Sequence, residues 1–389
     1  MSINEALALT LSDLLIKSAI ETKYLKNLED KIEKSLSGNA LTSDQQLAQL
    51  IKGYENEQLV LVLGAGISIE YGLPSWDTLL QDLLLTSFET KEKQPANESI
   101  VLAKLFTKLF SPNPLIAARY LRNHYQENKN KQENDFDSAV RDSLYKHLNK
   151  EKKSQLLNEI VQLCVAPGKS PNLDSIITFN YDNILESHLS KLDVDLPIKI
   201  ISKVGQRPSP GELTIYHVHG FLPPEGEIGK DSKITLSEDV YHQQYNEIYS
   251  WNNMIQLNKY RDNVCLFIGL SLTDPNLRRL LDIAKTQRGD NIPVHFSIRK
   301  KYDPTILENN LSRLLEQNPD LLDEQAKANL KLDESIKHMV RVMERFETQD
   351  DSSFGISTIW IDEYKEIPTI LKSIRTKKSK LPNNQLKKN

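Results

Sequence analysis

The chain has 389 residues, enough for one large domain or two ordinary ones with a sizeable core, and its 49 basic against 53 acidic residues leave a net charge of -4. That balance excludes the global positive field on which nucleic-acid binding draws. Two cysteines, Cys164 and Cys265, are too few for a disulfide framework or a four-thiolate metal site; each sits in an apolar run, as packing residues do, and so thiol-poor a composition suits a reducing cytoplasm.

Met1 to Glu5 shows no basic leader, and acidic residues interrupt the apolar ones before a signal or spanning segment forms, so a soluble, cytoplasmic chain with no membrane contact is expected. Apolar residues at Leu7, Leu11, Leu14, Ile20, Leu25, Leu28, Ile32 and Leu36 fall mostly three or four apart, the spacing of an amphipathic helix. Ser37-Gly38-Asn39 stops it, and Thr42-Ser43-Asp44 caps a second helix through Leu47 and Ile51. Residues 1–55 are thus an N-terminal helical segment ahead of an α/β domain over 56–374.

Leu59 to Leu63 is a continuous apolar run before a glycine turn, the pattern of a central strand in a parallel sheet. A helix is expected from Trp76 through Leu85. Helical spacing returns from Leu102 to Leu163, and a helical insertion is placed at about 86–170. Runs at Ser175 to Phe179, Thr214 to Val218, Val264 to Ile268, Pro293 to Ile298 and Ile356 to Ile361 read as further strands. Strands separated by helices imply a doubly wound, Rossmann-like α/β sheet. A charged helical stretch from Leu307 to Phe346 belongs outside that sheet. The tail, 375–389, holds many lysines and no acid; it reads as a solvated, disordered end, with a nucleic-acid or partner arm as the alternative.

Four strand ends carry chemistry. Gly64-Ala65-Gly66-Ile67-Ser68 follows the first strand, where glycines let backbone N–H groups approach a pyrophosphate. Ile69 breaks the dinucleotide fingerprint of the hydride-transfer enzymes at its third glycine. Tyr71-Gly72-Leu73-Pro74-Ser75-Trp76 continues it, with Gly72 and Pro74 shaping a loop and Trp76 placed to cover a ribose or nicotinamide, or else simply buried. In Thr178-Phe179-Asn180-Tyr181-Asp182, Asn180 suits a water or ribose hydroxyl, while Asp182 and Asn180 also suit helix capping. In His217-Val218-His219-Gly220, strand alternation puts both histidines on one face. No acid or cysteine stands nearby at metal-ligand spacing, so no metal is expected. His219, with room beside Gly220, is the better general base, and His217 reads as a packed residue behind it. Gly269-Leu270-Ser271-Leu272-Thr273-Asp274-Pro275 permits close approach at Gly269 and a hydroxyl at Ser271; Asp274 reads as a cap, and Arg278 and Arg279 as surface residues that could also reach a phosphate.

This ordered set (Gly-Ala-Gly-x-Ser, Gly-x-Pro, Thr-x-Asn-x-Asp, His-Gly and Gly-x-Ser) resembles the sirtuin family, and Tyr181 resembles its bacterial sirtuin-like branch. The resemblance implies a Rossmann-type domain with NAD across the strand ends, the nicotinamide end near Asn180 and His219. It implies phosphate and ribose contacts from Gly64, Ala65, Gly66 and Ser68, and adenosine contacts from Gly269 and Ser271; Pro74, Trp76 and Asp182 join the expected binding set. The chain departs from sirtuin deacylases in three respects. It lacks the cysteine pairs of their zinc ribbon, it has Phe179 where they have Gln, and it has Trp76-Asp77 where they have an arginine. These departures point to water as acceptor, as in sirtuin-like NAD hydrolases of anti-phage defence, with NAD as substrate and no zinc. The alternatives are a deacylase or ADP-ribosyltransferase, and a non-catalytic module binding NAD or ADP-ribose. The resemblance further implies a homo-oligomer and a HerA-like ATPase acting in trans.

Overall fold

The computed structural model describes residues 41–88, 114–128, 135–165, 173–194, 196–228, 234–289, 295–318 and 332–377, together with Asn27, Asp30 and Lys31. The expected first amphipathic helix, most of the basic tail and parts of the helical insertion lie outside the described residues.

The first described helix, α1 (Ser43–Glu55), starts where its sequence demands: the Thr42 side chain accepts from Gln45 N–H while the Gln45 side chain accepts from Thr42 N–H, a reciprocal capping box. The strand β1 (Leu59–Leu63) is buried throughout. Alternation splits it between two cores: Leu59, Leu61 and Leu63 face one, Val60 and Val62 the other. Helices α2 (Trp76–Phe88), α3 (Pro114–Asn128), α4 (Asp135–Tyr145) and α5 (Gln155–Leu163) follow, the last three within the stretch whose spacing implied helices. Leu79, Leu83, Leu121, Phe136 and Val140 join the first core.

The remaining elements alternate: β2 (Ser175–Thr178), α6 (Ile184–Leu189), β3 (Ile198–Ile201), β4 (Leu213–His217), α7 (Glu238–Asn246), α8 (Trp251–Asp262), β5 (Val264–Ile268), α9 (Pro275–Arg288), β6 (His295–Lys300), α10 (Pro304–Gln317), α11 (Leu332–Ser353), β7 (Ile356–Ile361) and α12 (Ile367–Thr376). The seven strands form one sheet in the order β3-β4-β2-β1-β5-β6-β7, and every pairing is parallel. Helices α1, α5 and α12 cover one face; α8 and α9 pack together, and Tyr260, Leu277 and Leu280 from them fill the core on the other. This is the Rossmann-like, doubly wound arrangement that the spacing of the runs implies.

Reading the sequence missed β3. Its four residues include Lys199 and are mostly half-buried at the sheet edge, so they lack the continuous apolar signature of the inner strands. Cys164 and Cys265 are fully buried, and burial pushes the Cys164 thiol up to about 12, as suits packing residues. No helix among the described residues is long and apolar enough to cross a membrane.

The topology fixes where a ligand belongs. The chain leaves β1 for β2 on one side and returns through β5 on the other, so β1 and β5 flank the switch point, and the crevice beyond their carboxyl ends is where open α/β sheets bind ligands.

Candidate active site

Two loops meet at that switch point. Gly64 N–H donates to the Ile268 carbonyl at 3.0 Å and Gly66 N–H to the Gly269 carbonyl at 3.0 Å. A Cβ on Gly66 would lie 2.6 Å from Gly269 Cα, and one on Gly269, whose φ is +65°, would lie 2.9 Å from Gly66 Cα. The glycines are therefore required by each other: backbone meets backbone without room for a methyl group. Those two N–H groups are occupied in this structure; Ala65 stays exposed, and Ser271 is exposed with its hydroxyl 2.7 Å from that of Thr273.

Beside this junction lies a buried polar relay. Asn180, 7% exposed, is set just beyond β2 by its own N–H bond to Thr178 Oγ1. Its Nδ2 donates to Ser68 Oγ at 3.2 Å, and Ser68 Oγ donates to Asp182 Oδ1 at 3.2 Å. Asp182 Oδ1 also accepts from Ile184 N–H at 3.0 Å, starting α6. Asp182 thus ties the loop to the first turn of α6, but the N-cap position is Asn183, whose side chain makes no cap bond, which corrects the reading of Asp182 and Asn180 as caps. Burial raises its carboxyl to about 6, against the lowering effect of those two hydrogen bonds.

The two histidines diverge, which corrects the expectation of a shared face. The strand ends at His217, and a turn in which Gly220 N–H bonds the His217 carbonyl redirects the chain, so the two-residue alternation no longer applies to His219. His217 is packed: its Nδ1–H donates to the Asn180 carbonyl at 3.0 Å and Nε2 lies 2.8 Å from Glu186 Oε1. His219 instead sits edge-on to Phe179, with ring centroids 4.6 Å apart, and to Tyr241, at 5.9 Å. Its Nε2 is buried, makes no hydrogen bond, and lies 3.5 Å from Asp274 Oδ2. Burial drives the imidazole towards its neutral form, and Asp274 opposes that shift. A buried imidazole pushed towards its neutral form suits a general base.

Asp274 caps α9 through Oδ1, bonded by Leu277 N–H at 2.7 Å, while its Oδ2 accepts the hydroxyl of Tyr241. The cap was legible in sequence; Tyr241 was missed, because nothing local in Glu238 to Asn246 marks it. Arg119 and Arg122 on α3 pair with Glu238 and Asp239 at the start of α7, so the helical insertion anchors the helix that brings Tyr241 in. Arg278 is not a loose surface residue: it pairs with Asp350 through two hydrogen bonds and lies over the Phe354 ring, while Arg279 bonds Asn276 Oδ1. Trp76 begins α2 half-buried against the core with its indole N–H buried and unbonded, and among the described residues no hydrogen bond or ring contact joins Pro74 or Trp76 to Asn180 or His219. Among the described residues no group of three or more histidines, cysteines or acids is placed to hold a metal ion.

Residues 174–321 match the model of the SIR2-like domain. The chain is 24% identical over 324 residues to a protein named NAD(+) hydrolase ThsA from Enterococcus faecium, covering 83% of this chain and 56% of that one. It is 22% identical over 324 residues to a protein of the same name from Bacillus cereus (strain MSX-D12), covering 82% of this chain and 54% of the relative. The chain therefore spans about half the length of the curated relatives it matches. Sheet order, motif order and these similarities converge on a likeness to the SIR2-like domain, matched over residues 174–321.

Proposed function

We propose that the chain hydrolyses NAD at the bond between nicotinamide and ribose, releasing nicotinamide and ADP-ribose, with residues 56–374 as the catalytic unit. NAD is the substrate, lying across the crevice between β1 and β5, with Gly64, Ala65, Gly66 and Ser68 towards its phosphates and ribose and Gly269 and Ser271 towards its adenosine half. Pro74, Trp76 and Asp182 line or support that site. The leaving nicotinamide is cationic before it departs, so the ribose carbon develops oxocarbenium character without a metal, and zinc has no part in this reading. Asn180 orients the attacking water, and His219 takes a proton from a ribose hydroxyl or from that water.

The observation that carries the reading is the pairing of a buried imidazole, His219, with a fixed Asn180 at neighbouring strand ends. The names of the two relatives support it. NAD depletion of this kind fits an effector of bacterial anti-phage defence acting in the cytoplasm, assembled as a homo-oligomer and switched by a HerA-like ATPase in trans.

The test is nicotinamide release from NAD by the purified protein, alone and with any ATPase encoded beside it. Asn180→Ala and His219→Ala are each expected to lower turnover by ~10²–10³ while circular dichroism stays unchanged. Equal release by the wild-type protein and both variants refutes the assignment, and a monomer at every concentration in sedimentation refutes the oligomer.

A further inference from the structure

We infer that Asp274 is the positioning carboxylate of His219, held in place by Tyr241, so that His219 works as one half of a carboxylate–imidazole pair; the catalytic consequence rests on the hydrolase reading above. The geometry divides the Asp274 side chain in two. Oδ1 is committed to the Leu277 N–H at the head of α9, which fixes the carboxylate plane relative to the sheet. Oδ2 accepts from the Tyr241 hydroxyl and stands 3.5 Å from His219 Nε2.

Three elements therefore converge on one oxygen atom: the turn after β4, helix α7 and the loop ahead of α9. The groups facing His219 are Asp274 and Tyr241, with Phe179 closing the apolar side; Tyr181 and Tyr245 respond to the Asp274 charge from farther off. Asp274 is the acidic partner that bears on the His219 imidazole.

The resting separation is about half an ångström beyond hydrogen-bond length, as befits a pair that tightens when substrate binds. A neutral His219 with its proton on Nε2, directed at Asp274, leaves the Nδ1 lone pair for the substrate. When a ribose hydroxyl or water gives its proton to Nδ1, the ring becomes an imidazolium and its new positive charge is met by the Asp274 carboxylate. The proton moves from oxygen to nitrogen, and Asp274 stays ionised throughout, the division of labour seen in other carboxylate–histidine pairs. Asp274 is thus a positioning residue that acts through His219.

Asp274→Asn separates this role from capping, because Asn caps helices as well as Asp does but carries no charge. In wild-type protein labelled with nitrogen-15 histidine, with the His219 signals assigned by loss in His219→Gln, neutral His219 is expected as the Nε2–H tautomer. In Asp274→Asn its titration midpoint is expected to move to lower pH, since the charge that favours the imidazolium is gone. The acid limb of the kcat/KM profile should move the same way, with kcat down ~10²-fold and KM within about threefold. An Nδ1–H tautomer in the wild type overturns the pairing, as does a titration unchanged in Asp274→Asn. The wild-type tautomer decides the matter even where the variant fails to fold. A protein that releases no nicotinamide yet shows the expected tautomer and shift refutes the hydrolase reading and leaves the pairing standing.

Discussion

Asp182→Asn should stabilise the protein near neutral pH and do nothing in acid. Burial raises the Asp182 carboxyl from its ordinary 3.8 to about 6. The folded state therefore holds the proton more tightly than the unfolded chain, and the contribution of this group to stability is fully present below about 3.8. It is lost as pH rises through about 6. At about 1.4 kcal/mol per tenfold change in proton affinity, the full loss by pH 7 amounts to about 3 kcal/mol. Asparagine keeps the side-chain oxygen that accepts from Ser68 and from Ile184 N–H, and never ionises. Urea unfolding of the two proteins side by side at pH 4, 5.5 and 7 isolates this site, because the other titrating groups are common to both. The variant should track the wild type at pH 4 and exceed it by up to about 3 kcal/mol at pH 7. A difference that is flat across this range refutes the claim that a buried charge is held here at a cost.

Gly269→Ala forces a Cβ to 2.9 Å from Gly66 Cα at a φ of +65°, so overpacking and left-handed strain together should cost about 2–4 kcal/mol, read as a lowered urea midpoint. Ser68→Ala removes the link between Asn180 and Asp182 without touching the Asp182–Ile184 bond at the start of α6; kcat for NAD should fall ~10-fold with KM little changed, and Ser68→Thr should restore part of it. An unchanged kcat in Ser68→Ala would mean that Asn180 needs no orientation by Ser68.

Much of this architecture was legible because the inner strands are buried on both faces. Leu59–Leu63 and Val264–Ile268 read as strands in sequence and form them at those bounds, as does the edge strand Ile356–Ile361 with its run of β-branched residues, and Thr42 and Asp274 cap the helices that their sequences start. The illegible parts depend on distance in the chain. Asp274 was visible as a cap because its Oδ1 bonds three residues ahead; its Oδ2 faces a histidine 55 positions earlier, which only the sheet order brings near. Gly64, Gly66 and Gly269 were legible as places of close approach, but sequence could not show that the approaching group is the other loop's backbone. Alternation put His217 and His219 on one face, and Gly220 alone favoured His219; that the strand ends between them was not legible.

That ending is what gives the two histidines different chemistry. His217 has both ring nitrogens spent, on a carbonyl and a carboxylate, and is held as part of the scaffold that carries Asn180. His219 spends neither ring nitrogen on the scaffold: its Nε2 faces Asp274 without bonding it, in an apolar setting that disfavours the charged form of the ring. The same logic governs Asn180: its Nδ2 donates to Ser68, which fixes the amide plane and leaves the side-chain oxygen as the acceptor that can turn a water's lone pair towards an electrophilic carbon. Reactivity here is set less by residue type than by which polar atoms the fold leaves unpaired. Asn180 and His219 lie at adjacent strand ends beside a glycine junction, and that placement is the ground on which we propose glycosidic-bond hydrolysis.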